Sequence, residues 1–579
     1  MKQQLSAPAE RLCVLKFGSS VLGAESDYPA AALEIYRHVR DGEKVVAVVS
    51  ALAGETDRLL DQAARVGGEA QDALVARVAR VGELQSAALM ALALGRIGVR
   101  ACAPDPHEMG LVADGPPLDS NLVDLDAEAV LAKLAEHDVV VVPGFTAGHA
   151  EHGVVTLGRG GTDLSAVFFA ARLDAHRVRL IKDVDGVYAE DPARNPYAER
   201  YAALGYEAAA EASAGLIQPK AIEAAQSEDV LIEIAAVGAL EATTIANLPP
   251  RKALPLKGPK LRVALLGCGA VGAGVLACLQ ERPDLFEVNP VLVRDPSRHR
   301  EEARFTTALH EALGEDPDLV IELMGGADGA GEIMCTALRN GANVVTANKA
   351  AVAKHYDALH ACAAAGGGLL AYSAAVGGGV PILELLARLG PRVESIEGVM
   401  NGTANFLLGR LGEGWAFDDA VRKAQQLGFA EADPAADVDG HDAADKLSLL
   451  VREAFGVSLP PARIAKQSLR EVSPEMAQEA LGRGEVLKQV GRCRRLPDGS
   501  IAAEVRIEAL PRTHPLAGAV NEGNRFLIAE ADGRVHALYG KGAGRWPTAA
   551  SVFADVMDVQ RAMLGRLADA GAASLRLSA

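Results

Sequence analysis

Residues 261–272 read Leu-Arg-Val-Ala-Leu-Leu-Gly-Cys-Gly-Ala-Val-Gly. The largely apolar start predicts a buried strand over 261–266, and the glycines predict a tight turn opening a helix that runs to about Gln280. Gly267, Gly269 and Gly272 let backbone approach a pyrophosphate closely, while Ala270 and Val271 begin a helix whose positive end faces the phosphates. The GxGxxG spacing arises by chance in glycine-rich chains; the strand before it and the helix after it make it a dinucleotide-binding signature. A second strand is expected at 288–293, ending at Arg294. An acidic residue near that end suits the ribose hydroxyl of NAD, and an arginine suits the 2′-phosphate of NADP, so NADP(H) is preferred over NAD(H). Further strands at 318–323 and 343–345 complete a doubly wound parallel sheet. The second of these leads into Thr346-Ala347-Asn348-Lys349, which puts Lys349 just past a carboxyl end, at the ligand crevice of such a sheet.

Farther on, 428–446 reads GFAEADPAADVDGHDAADK. Asp442 and Lys446 are spaced i, i+4 and project from one face of a helix. Ala443, Leu447, Leu450 and Val451 give that helix a buried face, and Gly456 a C-terminal stop. An isolated Asp/Lys pair of this kind is usually a solvated helix face. With Glu431 and Asp437 just ahead of it, the set suits a substrate that carries an ammonium group and exchanges a proton.

The pattern of Glu431, Asp437, Asp442 and Lys446, with its Gly-Phe-Ala-Glu-Ala-Asp-Pro lead-in, closely resembles the substrate and catalytic segment of homoserine dehydrogenases. So do Thr346–Lys349, Asn401-Gly402-Thr403-Ala404-Asn405, and Gly542-Ala543-Gly544 with Pro547-Thr548; the likeness covers about 261–570. It implies that Lys446 is the proton donor, oriented by Asp442, that Lys349 polarises the substrate oxygen, and that Glu431 and Asp437 hold the ammonium. Thr346, Lys349 and Gly544 would join the glycine turn around the coenzyme. In the family an acidic residue before Ala-Ala-Val-Gly-Gly-Gly helps bind a monovalent cation. This chain has Ser373 there, which leaves the carbonyls of Val376, Gly378 and Val380 and weakens the case for Na⁺ or K⁺.

The N-terminal half opens in the same strand-and-glycine manner, LCVLKFGSS at 12–20. Lys16 after such a strand can meet phosphoryl charge, with Gly18 and Ser19 supplying backbone amides, although the spacing is not that of a Walker A loop. Next come Val48-Val49-Ser50-Ala51, Gly82-Glu83-Leu84-Gln85-Ser86, Pro143-Gly144-Phe145 and Gly158-Arg159-Gly160-Gly161-Thr162-Asp163, which precedes a helical run over 164–173. A strand at 178–182 then ends in Lys182-Asp183-Val184-Asp185-Gly186-Val187-Tyr188, and Gln218-Pro219-Lys220-Ala221-Ile222-Glu223 follows. In this order the segments resemble aspartate kinases of the amino-acid kinase fold over about 12–235.

That likeness implies that Lys16 stabilises the transferring phosphoryl group and Asp163 organises the transfer. Arg159 would bind the substrate carboxylate and Glu83 its ammonium, with Ser50, Phe145 and Thr162 lining the aspartate site. Asp183, Tyr188 and Lys220 would lie near ATP, which acts with Mg²⁺. The family reads Lys-Phe-Gly-Gly-Thr-Ser at the first glycine loop, so this loop is one residue short.

The expected fold class is α/β: an amino-acid kinase domain over 1–246 and an extended linker at 247–260 (NLPPRKALPLKGPK) lead to a Rossmann domain over 261–385. An inserted α+β catalytic and dimerisation domain over 386–540 and a C-terminal helical segment over 541–579 complete it. Neither the interval after the kinase motifs nor the residues after Met557 can hold the small regulatory (ACT) domains of some relatives, so no feedback by threonine or lysine is expected. The balance of 76 acidic to 58 basic residues argues against nucleic acid and anionic membranes as partners. The seven cysteines show no CxxC pair, as in a reduced cytoplasmic protein. The uncharged run 361–383 is long enough to span a bilayer, but its glycines and Pro381 favour backbone packed beside a ligand. The combined expectation is a homodimer or higher homo-oligomer acting on L-aspartate, L-aspartate 4-semialdehyde and L-homoserine. The alternative is a dehydrogenase whose kinase-like half is a scaffold or regulatory ligand-binding module.

Overall fold

The computed structural model describes residues 11–577 apart from 68–70, 196, 214, 240, 254–258, 428–429 and 431–432. The chain forms two compact units, Pro8–Lys257 and the chain from Gly258 onward.

The first unit is built on a nine-stranded sheet whose larger part, running to one edge, is the parallel set Ile232–Ala236, Arg177–Lys182, Leu12–Phe17, Lys44–Val49, Val139–Pro143 and Ala101–Cys102. Apart from the edge strand Ala101–Cys102, most of their residues are buried, as expected for strands covered on both faces by helices. Leu12–Phe17 pairs with Lys44–Val49 on one side and Arg177–Lys182 on the other, so Lys16 and Lys182 both emerge at the carboxyl end of the sheet. The expected helix over 164–173 runs from Gly161 to Arg172. Two residues of the expected linker, Arg251–Lys252, instead pair antiparallel with Tyr201–Leu204 as an edge strand of this sheet.

The second unit holds a seven-stranded parallel sheet, in which Leu261–Leu266 lies between Val291–Leu292 on one side and Leu319–Glu322 on the other. This reversal of strand order makes the end of Leu261–Leu266 the switch-point crevice. The expected strand 288–293 is split into Phe286–Val288 and Val291–Leu292. Asn289-Pro290 interrupts it, because proline has no N–H for the ladder. The run 361–383 is likewise divided among a helix ending at Gly366, the strand Leu370–Ala371, the turn Ser373–Ala375 and a helix starting at Ile382. Among the described residues no helix is long and apolar enough to cross a membrane.

A six-stranded, mostly antiparallel sheet follows in the order 465–466, 501–511, 485–495, 393–399, 523–530, 535–541. The helices Gly402–Gly412 and His441–Phe455 pack on it. His441–Phe455 starts at Gly440 (φ 75°) and stops at Gly456 (φ 69°), both left-handed positions that glycine adopts without strain. Ala443, Leu447, Leu450 and Val451 are fully buried, each with 0% exposure, which fixes the helix's rotation and so the direction of Asp442 and Lys446. The helix Arg545–Leu577 packs back on the dinucleotide helix, and a Cβ on Gly274 would come within 2.8 Å of Ala549.

Candidate active sites

In the second unit the turn after Leu266 has the form its glycines require. Gly267 has φ 100°, and a Cβ there would lie 2.6 Å from the Leu323 carbonyl oxygen. A Cβ on Gly272 would meet the Gly267 carbonyl at 2.1 Å, so helix and turn touch backbone to backbone. At Gly269 nothing lies within 4 Å of a Cβ position, and this residue caps the helix Ala270–Gln280. Open space over a helix N-terminus at a switch point fits a pyrophosphate, and the site suits a dinucleotide coenzyme. Arg294 is exposed past the end of Val291–Leu292, while neighbouring Arg298 pairs with Asp295 at 3.3 Å.

Lys349 opens the helix that follows the strand Asn343–Thr346 of the same sheet, and its partner Asp442 is the hub of a polar network. Its Oδ2 accepts from Lys446 Nζ at 2.8 Å and from Asn401 Nδ2 at 2.8 Å, and its Oδ1 lies 2.8 Å from Lys349 Nζ. Burial opposes the Asp442 charge, but the two lysines outweigh it and hold the carboxyl well below the usual aspartate range. Lys349 shows the reciprocal effect: Asp442 overcomes the cost of burial and raises its pKa. Lys446 also donates to the Met400 carbonyl at 2.7 Å. An ammonium has three N–H donors, so one stays available to a substrate oxygen. Asp437 accepts from Asn401 at 2.7 Å, which ties this carboxylate to the same network. Glu431 lies outside the described residues.

The position of Lys349 rests on a group the sequence reading passed over. Glu322, fully buried at a strand end, accepts from Thr346 Oγ1 at 2.7 Å and from the Met324 amide at 2.8 Å. Thr346 in turn accepts from the Asn348 amide at 3.0 Å, and Asn348 caps the helix that begins at Lys349 by accepting from the Ala351 amide at 3.1 Å. Gly544, with φ 115°, is exposed ahead of the helix Arg545–Leu577. Val376 and Val380 are buried, and Gly378 has φ 63°. The Gly379 amide there bonds the Lys541 carbonyl at 3.0 Å. The Ser373 amide donates to Asp555 Oδ2 at 3.0 Å, so a buried carboxylate from the C-terminal helix stands beside this turn.

In the first unit Asp163 is bracketed by two lysines, Lys16 at 2.7 Å and Lys182 at 3.0 Å, all three buried. Burial alone would raise the Asp163 pKa, but Lys16 and Lys182 lower it. Two ammonium groups on one carboxylate leave a positive charge over, the sign a transferring phosphoryl group needs. Lys182 was not among the expected site residues, having read only as the last residue of a strand. A Cβ on Gly18 would meet Lys16 Nζ at 2.5 Å, so glycine is what allows this lysine to fold back over the turn. Ser50 Oγ donates to Thr162 Oγ1 at 3.1 Å.

Phe145 has φ 63°, a strained conformation for an aromatic residue, of the kind found where a site over-determines the backbone. Burial pushes the Glu83 carboxyl up to about 8, against the opposing effects of the Ala51 amide and Lys16, and its Oε2 has no hydrogen-bond partner among the described residues. An incoming ammonium would satisfy it. Arg159, Ser19 and Asp183 are exposed. Tyr188 donates to Asp185 at 2.6 Å, and Lys220 to Asp119 at 2.8 Å. Both Asp163 oxygens are engaged by lysines, which does not fit a protein ligand for Mg²⁺ at that residue.

Comparison with known proteins finds matches for both units. The model of the amino acid kinase family matches residues 11–235, that of the homoserine dehydrogenase NAD binding domain 267–373, and that of homoserine dehydrogenase 381–557. The homoserine dehydrogenase of Lactococcus lactis is 38% identical over 319 residues, which cover 52% of this chain and 74% of that protein. The Corynebacterium glutamicum homoserine dehydrogenase is 36% identical over 329 residues, 53% of this chain and 74% of that one. The crystal structure of a homoserine dehydrogenase from Thiobacillus denitrificans aligns with a TM-score of 0.50 at 34% identity, covering 52% of this chain and 74% of that one. The chain therefore belongs to the homoserine dehydrogenase family, and an amino acid kinase domain precedes its dehydrogenase unit.

Proposed function

We propose that the chain is a bifunctional enzyme that phosphorylates L-aspartate with ATP and reduces L-aspartate 4-semialdehyde to L-homoserine with NADPH. The observation that carries the dehydrogenase reading is the Lys349–Asp442–Lys446 assembly, whose Lys349 follows a strand end in the same parallel sheet as the dinucleotide turn. A nicotinamide coenzyme would be held by the Gly267–Gly272 turn, Thr346 and Arg294, and would supply the hydride. The chain's own groups manage the charge that develops. Lys446 gives the aldehyde oxygen a proton through its third N–H, and its position is fixed by Asp442 and the Met400 carbonyl. Lys349 adds positive field at the same oxygen. Asp437, with Glu431, receives the substrate ammonium. Asp442 stays ionised throughout, because both lysines favour its charge.

In the kinase unit Lys16 and Lys182 stabilise the phosphoryl group in flight, and Asp163 sets their spacing. Glu83 and Arg159 hold the two ends of aspartate, and Ser50 and Thr162 line its site. The short loop after Lys16 favours the alternative of a silent scaffold; the assembled Lys16–Asp163–Lys182 cluster favours catalysis, and we adopt the latter. Full-length enzyme should form aspartyl hydroxamate from aspartate, ATP and hydroxylamine, and should oxidise NADPH when given aspartate semialdehyde. Lys16→Ala should abolish only the first activity. A wild-type chain that forms no hydroxamate would leave the dehydrogenase alone.

A further inference from the structure

Two clusters of metal-ligating side chains occur among the described residues: Cys13, His38 and Glu43 in the kinase unit, and Cys268, His299 and Glu301 in the dehydrogenase unit. In each, one ligand atom per residue lies within 4.8 Å of the others. The first is a closed ionic network. Glu43 is already bonded to His38 at 2.7 Å and to Arg177 at 2.9 Å, and Arg177 also reaches His38 at 3.2 Å. A cation there would have to displace the Arg177 guanidinium, whose side chain is only 17% exposed.

The second cluster is built differently. Cys268 stands between Gly267 and Gly269 in the dinucleotide turn and is 7% exposed. His299 and Glu301 follow the short helix Pro296–Arg298, and their side chains are 16% and 30% exposed, which gives an ion an entry path. The His299 ring is stacked on Phe305 at 4.7 Å between centroids, which fixes its plane. His299 Nδ1 and Glu301 Oε2 face each other at 3.6 Å, beyond hydrogen-bond length. Glu301 Oε2 is anchored by the Arg300 amide at 3.0 Å. Of the nearby cations, Arg298 pairs with Asp295 and Arg300 bonds the Ser297 carbonyl at 3.2 Å, while Arg545 acts on Cys268 and Glu301 through its field alone. Thiolate, imidazole and carboxylate together are a borderline-soft donor set, and three such ligands leave a fourth tetrahedral position for water.

We propose that Cys268, His299 and Glu301 bind a thiophilic divalent cation of the zinc type, and that this cation and the dinucleotide exclude each other. As the sulfur–metal bond forms, the Cys268 thiol releases its proton to solvent. The bound ion would tie the 299–301 segment to the turn next to Gly269, where the pyrophosphate would approach. The exclusion rests on the dinucleotide-binding reading of that turn; cation binding does not, and the two are read separately.

The probe is cobalt(II), titrated into the reduced full-length chain. One equivalent should produce a near-ultraviolet sulfur-to-cobalt band, bleached by zinc. Cys268→Ser should abolish the band, and Glu301→Gln and His299→Ala should each weaken cobalt binding by at least about tenfold, with circular dichroism verifying the fold of each. NADPH should raise the apparent cobalt Kd linearly with its concentration, from the value found without coenzyme. Absence of the band at stoichiometric cobalt, or its persistence in folded Cys268→Ser, would overturn the site. A cobalt Kd indifferent to saturating NADPH would overturn the exclusion.

Discussion

Replacing Asp442 by asparagine keeps the shape of the hub and removes its charge. The Lys446 and Asp442 side chains are 11% and 9% exposed, so the change leaves a buried ammonium without its counter-ion. Breaking such a pair costs about 3–5 kcal/mol. Lys349, 36% exposed, is screened by solvent, and its pair adds no more than about 1 kcal/mol. The asparagine oxygen still accepts one hydrogen bond, which puts the expected loss at the lower end, about 3 kcal/mol. Both tryptophans, Trp415 and Trp546, lie in the dehydrogenase unit, so urea unfolding followed by tryptophan fluorescence reads that unit alone. The pH dependence has a definite sign. Asp442 has a depressed folded pKa, so its contribution is present above the ordinary value of 3.8 and is lost as the pH falls through the lower folded value. The gap between wild type and Asp442→Asn should therefore hold steady around neutrality and close in strong acid. The reduction rate should fall at least about a hundredfold as Lys446 and Lys349 lose their common anchor. A gap under about 1 kcal/mol at neutral pH, or one that acid leaves unchanged, would refute the reasoning.

Arg294→Ala should raise the KM for NADPH by about ten- to a hundredfold while changing that for NADH little, because only the 2′-phosphate loses a charge-assisted contact of about 1.5–3 kcal/mol; equal effects in steady-state assays would show that Arg294 does not read the phosphate. Glu83, pushed up to about 8, must ionise to receive the substrate ammonium, so the KM for aspartate should fall as the pH rises through about 8 and Glu83→Gln should flatten that profile. The same raised pKa means that the kinase unit loses stability as the pH climbs from 4.5 through about 8, a loss Glu83→Gln should remove in pH-dependent thermal unfolding.

The helix His441–Phe455 was legible almost residue by residue, because its apolar spacing and terminal glycine are local signals that burial then enforces. The Gly267–Gly272 turn was legible for the same reason: Gly267 and Gly272 answer steric demands from the next strand and from the turn itself, and Gly269 leaves the helix N-terminus open. Partnerships across long stretches of chain were harder to read. Lys182 closes a strand that already carries Arg177 and Arg179, and its meaning depends on Asp163, 19 residues earlier, meeting it across a helix. Glu322 sits inside a hydrophobic run and looks like an interruption until Thr346, 24 residues on, is seen to bond it. Asn401 lay in a segment noted for its resemblance, yet its role in joining Asp437 to Asp442 depends on the tertiary packing of two helices. Asp555, beside the Ser373 turn, gives no signal at all in the sequence, being one acid in a long C-terminal helix.

The claim that Lys446 gives the proton to the substrate oxygen is tested most directly by single-turnover reduction of aspartate semialdehyde with saturating NADPH, comparing wild type with Lys446→Ala. The account predicts homoserine from the wild type and a hydride-transfer step at least about a hundredfold slower in the variant, with NADPH affinity nearly unchanged. A variant that retains most of the wild-type single-turnover rate would contradict it.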